Sequence, residues 1–224
     1  MRSQFLILAI AATCACSPPD QPTNSAALRA PASIRFQAGY FADDGAAIES
    51  ESLPKAIGVH AVPIPGNIFG APVFPALASV YVHTGEPSVL DLGSAERQVK
   101  SISTPLTEDG LKAGLRVNPP DARLARLGIF VANADTGKGV PGYASLIGPS
   151  KEIYSIVYFD RPCVLSGVAH SEGKTVTYDI QILSPGIQLL AMAKVSPATF
   201  VVSRAEPQNL ITLNIVPSKV IVSK

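Results

Sequence analysis

The chain contains no tryptophan, and aromatic residues make up only 6% of it. Sugar-binding surfaces use exposed rings as platforms, so this scarcity weighs against a glycan module. Only three cysteines occur, Cys14, Cys16 and Cys163. That number excludes zinc sites built on paired CxxC motifs. Charge of one sign is nowhere concentrated, with 18 basic residues against 17 acidic ones over 224 positions. A nucleic-acid footprint needs clustered lysine and arginine, and so does an electrostatic grip on anionic lipid. Neither is supported. No apolar run approaches the roughly 20 residues that a membrane-spanning helix needs.

The N-terminus carries the clearest positive signal. Arg2 is the only charge in residues 1–16, and Phe5 to Thr13 is an unbroken apolar or small run. Its length and flanks fit a cleaved secretion signal. The stretch Ala12-Thr13-Cys14-Ala15-Cys16 then resembles the lipobox of bacterial lipoproteins. The resemblance implies diacylglycerol on the sulfur of Cys16 and cleavage before it, which makes residues 1–15 the signal peptide. Ala15 suits the position before the lipidated cysteine, whereas Thr13 before Cys14 fits less well. An ordinary secretory signal cut near Ala15 is the alternative. Ser17, not aspartate, follows Cys16, and for such lipoproteins this implies the outer membrane if the host has two.

Residues 16–31 read as a lipidated tether. Ser17 to Ala30 is rich in Pro, Ser, Asn and Ala without apolar periodicity. Such a segment buries too little apolar surface to offset the entropy of ordering it. One acyl chain binds a bilayer only reversibly, at about 0.8 kcal/mol per buried methylene, and two suffice for stable anchoring. The two or three chains that the resemblance implies would therefore hold the body on its membrane.

Without the signal, about 209 residues remain, enough for one large or two small domains with a real core. Cys163 then has no partner for an internal disulfide, so stability must come from packing. Between Pro162 and Val164 it reads as a buried, inert thiol rather than a nucleophile paired with His170.

The body reads as β-structure almost throughout, with Val, Ile, Tyr and Phe runs separated by Gly, Pro, Asp and Ser. Ile34, Phe36, Ala38 and Tyr40 share one face, and Asp43-Asp44-Gly45 supplies a turn. Leu77 to His83, Val89 to Leu92 and Leu111 to Val117 are further strands. Val176 to Ile182 alternates most clearly, with Val176, Tyr178, Ile180 and Ile182 inward and Thr177, Asp179 and Gln181 outward. One wet face points to an antiparallel sheet. Further strands are expected at Ile153 to Phe159, Cys163 to Val168, Ile187 to Ala193, Phe200 to Ser203 and Leu210 to Val216. The best helix candidate is Asp121 to Leu127, with Asp121 as N-cap after Pro119 and Pro120. Asn133 to Ser150 is rich in Gly and Pro. It is either the joint between two β units or a long loop within one sandwich.

A second resemblance is carried by Tyr158-Phe-Asp-Arg-Pro-Cys-Val-Leu-Ser-Gly167, by Val176-Thr-Tyr-Asp-Ile180 and by Gly186. It is similar to a pattern in β-rich bacterial lipoproteins. There, a strand ending in aspartate leads into a strand carrying Ser-Gly, then a hairpin strand and a Gly-Trp-Asn turn. Leu115-Arg-Val-Asn-Pro-Pro120 is similar to their first-domain strand ending in Pro. This chain departs at Gly186-Ile187-Gln188, where the pattern has Gly-Trp-Asn. The resemblance spans about half of the mature chain and implies architecture only, because it brings no activity with it.

Chemistry-bearing patterns are sparse. His60, His83 and His170 show no ligand spacing such as H-x-x-x-H. Leu165-Ser-Gly167 and Leu92-Gly-Ser94 do not match a nucleophile elbow. Asp43, Asp44, Glu49 and Glu51 form an acidic loop without the calcium-loop pattern. Gly137-Lys-Gly139 lacks the strand and helix context of a phosphate loop. Ile57 to Pro75 is apolar yet too proline-rich for a long strand or helix. It is either a buried crossover or an apolar loop that docks on a partner or lipid.

These readings converge on an all-β protein of two antiparallel sandwich-like units, residues 32–148 and 149–224, behind a lipid-anchored flexible tether. The expected role is non-catalytic: an interaction or structural lipoprotein of the bacterial cell envelope, with the membrane and an envelope protein as partners. A small-molecule or glycan binding module is the alternative, and an enzyme ranks last. Cys16 is the one site residue expected. No cofactor, metal ligand or catalytic residue is expected.

Overall fold

A computed structural model describes residues 33–64, 75–106, 114–205 and 210–218. The signal, Cys16, the tether and residues 65–74 of the proline-rich stretch lie outside the described residues. Fourteen strands and one short α-helix follow in order. They are β1 (Ser33–Tyr40), β2 (Ala56–Ile64), β3 (Ala78–His83), β4 (Pro87–Asp91), α1 (Glu96–Ile102), β5 (Thr104–Pro105), β6 (Leu115–Asn118) and β7 (Arg123–Asn133). Then come β8 (Gly142–Ile147), β9 (Ile153–Phe159), β10 (Cys163–Ser171), β11 (Lys174–Ile182), β12 (Gly186–Ser196), β13 (Thr199–Ala205) and β14 (Ile211–Pro217). The fold is all-β.

One hydrogen-bonded sheet carries all of these strands. Its main path runs β4-β1-β14-β8-β9-β12-β13-β11-β10-β6. At β9 it forks: β8 pairs with the N-terminal end of β9, and β7 pairs with the C-terminal end. β7 in turn carries β2 and β5, and β2 carries β3.

The sheet serves two buried clusters. The first collects Ile34, Phe36, Ala38 and Tyr40 of β1, Ile57, Val59 and Ala61 of β2, and Ile211, Leu213 and Ile215 of β14. The second collects Cys163 and Leu165 of β10, Val176, Tyr178, Ile180 and Ile182 of β11, and Val202 of β13. β9 lies between them. Ile156 and Tyr158 enter the first cluster, and Val157 and Phe159 enter the second. Successive side chains on a strand face opposite sides. A strand with a core on each side therefore reads as a continuous apolar run, as Ile156-Val-Tyr-Phe159 does. β12 repeats the arrangement with Ile187 and Leu189 on one side and Leu190 on the other. Residues on both sides of position 148 build each cluster, since Leu115 and Ala122 belong to the second and Ile156 and Ile187 to the first.

The inward sets expected for β1 and β11 are the observed ones, each residue at 7% exposure or less. The Asp43-Asp44-Gly45 turn is also present, with Gly45 at φ +89° and the Ala46 N–H donating to Asp44 Oδ1 at 3.0 Å. Three expectations need correction. The sheet is mixed, because β1 pairs parallel with β14 and β11 pairs parallel with β13. Residues 121–127, expected as helix with Asp121 as N-cap, form none, and from Arg123 they begin the long strand β7. Ala125 and Leu127 enter the first cluster while Leu124 packs on the second. Pairing on both sides overrides the helix propensity of Ala, Leu and Arg. The helix that does form, α1, spans Glu96–Ile102 and buries Val99. Finally, β2 runs as a nine-residue strand through Pro63. Its pairing with β3 ends at Ala61–Ala78, so among the described residues only β7 pairs with β2 at Pro63. A missing N–H is tolerated at such an edge.

Candidate functional site

The outer face of β3, β2 and β7 carries a row of rings, exposed at Tyr81 and half-buried at His60 and Phe130. Tyr81, His60 and Phe130 come from these three strands in turn. Register places Gly58 opposite Tyr81, and His60 opposite both Ser79 and Phe130. The inner positions Val59, Val82 and Val131 point into the first cluster. Strand alternation therefore turns Tyr81, His60 and Phe130 outward. The His60 ring meets Tyr81 edge-on, with centroids 6.3 Å apart, and lies 6.1 Å from Phe130. Tyr81 is 71% exposed. Ile64, also exposed, extends the row along β2.

Three glycines form the floor of this row. A Cβ on Gly58 would stand 2.6 Å from His60 Nε2, one on Gly128 2.8 Å from Ile64 Cδ1, and one on Gly139 2.8 Å from Phe130 Cζ. The side chains thus lie along the sheet instead of standing off it, which makes the face flat. Rings over glycines also stabilise a sheet locally. The exposure of Tyr81 is not needed for that.

His60 is held in place by Ser79, whose Oγ lies 2.8 Å from His60 Nδ1, and burial lowers its pKa. A neutral imidazole fits this apolar row better than a charged one. No protein family, curated protein or solved structure matches the chain. The reading of this face rests on its own geometry.

The remaining sequence candidates are dispersed. His83 shares the outer face with His60. It lies opposite Ala56, four residues along β2, about 14 Å away by strand rise. His170 lies on β10, with Nδ1 3.1 Å from Thr175 Oγ1. Among the described residues, no three His, Cys, Asp or Glu side chains are grouped to hold a metal ion. Glu49 and Glu51 line an open groove of about 570 Å³ with Tyr40, Lys55, His83 and Glu86. The Tyr143 hydroxyl donates to Asp43 Oδ1 at 3.1 Å. Cys163 is free and buried, and burial pushes its thiol up to about 11. Ser166 of β10 lies opposite Asp179, and Ser94 lies in a single 3-10 turn. The structure brings neither serine to a histidine.

Sequence reasoning missed Tyr81 and Phe130. The available signal was the strand expected at Leu77 to His83, in which a buried Val82 forces Tyr81 outward. Phe130 carried no comparable signal, because β7 is covered on both faces over part of its length.

Proposed function

We propose that the chain is a lipid-anchored, non-catalytic module of a bacterial cell envelope. In this reading it binds a protein partner through the outer face of β3, β2 and β7. One observation carries it: Tyr81 is 71% exposed at the end of a flat ring row that continues through His60 and Phe130. Exposed apolar patches with polar rims mark interaction sites. Aromatic residues are enriched at interface centres, and Tyr is a frequent hot spot. Small-molecule sites are concave, and a flat face suits a macromolecular surface better. The lipobox-like segment ending at Cys16 supplies the anchor, and residues 17–30 supply the reach. Together they confine the search for a partner to the membrane that holds the lipid.

The test is site-specific photocrosslinking in native membranes. A photoreactive residue replaces Tyr81 in one protein and Val195, 66% exposed on β12, in another. A discrete protein adduct from position 81 and none from position 195 supports the reading. Equal adducts from both positions, or none from position 81, overturns it.

A further inference from the structure

Several strand ends meet where β1 begins. Ser33, its first residue, lies opposite Asp91 at the end of β4. β14 runs parallel to β1 and starts at the same end, just after Leu210. β8 runs antiparallel to β14 and pairs Ile147 with Thr212, which brings the β8–β9 turn there as well. Ile153 of β9 lies opposite Met192 of β12, so the last residues of β12 follow. The turn into β13 closes at Ser196–Thr199, and the β10–β11 turn closes at Ser171–Lys174. β11 and β13 run parallel from these turns, with Thr175 opposite Thr199. Three turns and the start of β1 therefore stand at one end of the sheet.

This end presents apolar tips. Val195 is 66% exposed, Leu210 41% and Ile153 40%. The β12–β13 register shifts between Lys194 and Ser196, which leaves Val195 unpaired in a bulge. A bulge bends its strand and re-aims a side chain. Lys151, Lys174 and Lys194 are exposed beside these tips. Asp91, Glu152 and Glu172 lie at the same end and balance their charge.

An exposed apolar residue is by itself ordinary on a surface, and Leu183 at the opposite end is 53% exposed. Ser33 is what separates the two ends. Only residues 17–32 lie between it and Cys16. A short link holds the groups it joins at high effective concentration, so a contact too weak to form alone becomes occupied.

We propose that this end of the sheet is seated on the lipid bilayer. Val195, Ile153 and Leu210 enter the headgroup region. Lys151 and Lys194 lay their apolar stems beside them and keep their ammonium groups at the polar surface. The apolar tips drive the contact. Because the charges at this end balance, it needs no anionic lipid. The seating rests on the proposed reading of Cys16 as lipid-bearing.

The experiment is fluorescence quenching of the acylated full chain in phosphatidylcholine vesicles. The chain has no tryptophan, so Val195→Trp and Leu183→Trp each carry a single probe. Leu183 follows Ile182 at the far end of β11, about 23 Å from Thr175 by strand rise. Both positions are exposed, so both substitutions should leave the fold intact. In vesicles with acyl chains brominated near the headgroup, the Val195→Trp emission should be blue-shifted and quenched. The Leu183→Trp emission should match that in ordinary vesicles. Tryptophan itself favours the interface, and Leu183→Trp controls for that. A chain that floats with the vesicles but shows no quenching at position 195, or equal quenching at both positions, keeps its anchor and overturns the seating alone. A chain that does not float lacks the anchor, and the reading of Cys16 falls together with the seating.

Discussion

Asp160 and Arg123 hold each other reciprocally: the Arg123 N–H donates to Asp160 Oδ1 at 2.7 Å, and the Asp160 N–H donates to the Arg123 carbonyl at 3.1 Å. Asp160 Oδ2 also accepts from Arg161 Nε at 3.1 Å and from Nη2 at 3.0 Å. Arg161 reaches on to Asp121, and the Arg123 guanidinium reaches the Ser103 carbonyl at the end of α1. The aspartate that closes β9 thus ties the start of β7, the end of β9 and the helix terminus together. Its role in the Phe-Asp-Arg-Pro-Cys segment is structural.

A pH dependence follows. Burial pushes the Asp160 carboxyl up, but the Arg123 N–H and the Arg161 guanidinium outweigh it and hold it below its ordinary value. A carboxyl whose pKa is lower folded than unfolded contributes stability above the unfolded pKa. That contribution is lost as pH falls through the folded pKa. Asp160→Asn should cost about 1–3 kcal/mol near neutrality, and the gap from the parent should close toward about pH 2. Denaturant titrations of both proteins across that range check this. A gap that does not change with pH would contradict it.

Gly167 should tolerate no side chain. Its φ is +146°, and an added Cβ would stand 2.1 Å from the Gly114 carbonyl oxygen and 2.8 Å from Leu115 Cα. Both contacts are backbone, so β6 must move off β10. Gly167→Ala should destabilise by more than about 1–3 kcal/mol, the ordinary cost of overpacking. A loss under about 0.5 kcal/mol would show that β6 yields freely.

On β11, Ile180 is 0% exposed, whereas Gln181 is exposed. Ile180→Ala should cost about 2–5 kcal/mol because a cavity remains. Gln181→Ala should stay within about 0.5 kcal/mol. Equilibrium unfolding of the pair measures the facing directly, and the reverse order would contradict it.

The contrast between β11 and β7 shows what was legible. β11 has one buried face, so Val176, Tyr178, Ile180 and Ile182 alternate with polar Thr177, Asp179 and Gln181, and strand period and facing are written in the residues. At its start β7 touches both clusters. Leu124 is half-buried and Ala125 buried, and Asp121, a residue type suited to a helix N-cap, precedes them. The polar half of the alternation disappears, and Arg123-Leu-Ala-Arg-Leu127 mimics one face of a helix. The parallel pairings of β1 with β14 and β11 with β13 are tertiary facts with no local sequence signature. The ring row was hidden for a related reason. Tyr81, His60 and Phe130 are scattered along the chain, and only strand register aligns them.

Cys163 should be a slow thiol. It is 4% exposed, and burial pushes its pKa up to about 11, so little thiolate exists near neutrality. Reaction with a thiol reagent should be slow in the folded chain and fast in denaturant. Equal rates would mean that the sulfur is accessible, and a reactive role would then have to be considered.

The functional reading depends on Cys16 carrying lipid, and intact-mass analysis of the chain purified from its own membranes tests this most directly. The account predicts a mature chain beginning at Cys16 with the added mass of diacylglycerol on its sulfur, and loss of that mass and of detergent partitioning in Cys16→Ala. An N-terminus elsewhere, or a Cys16 with no acyl mass, would contradict it.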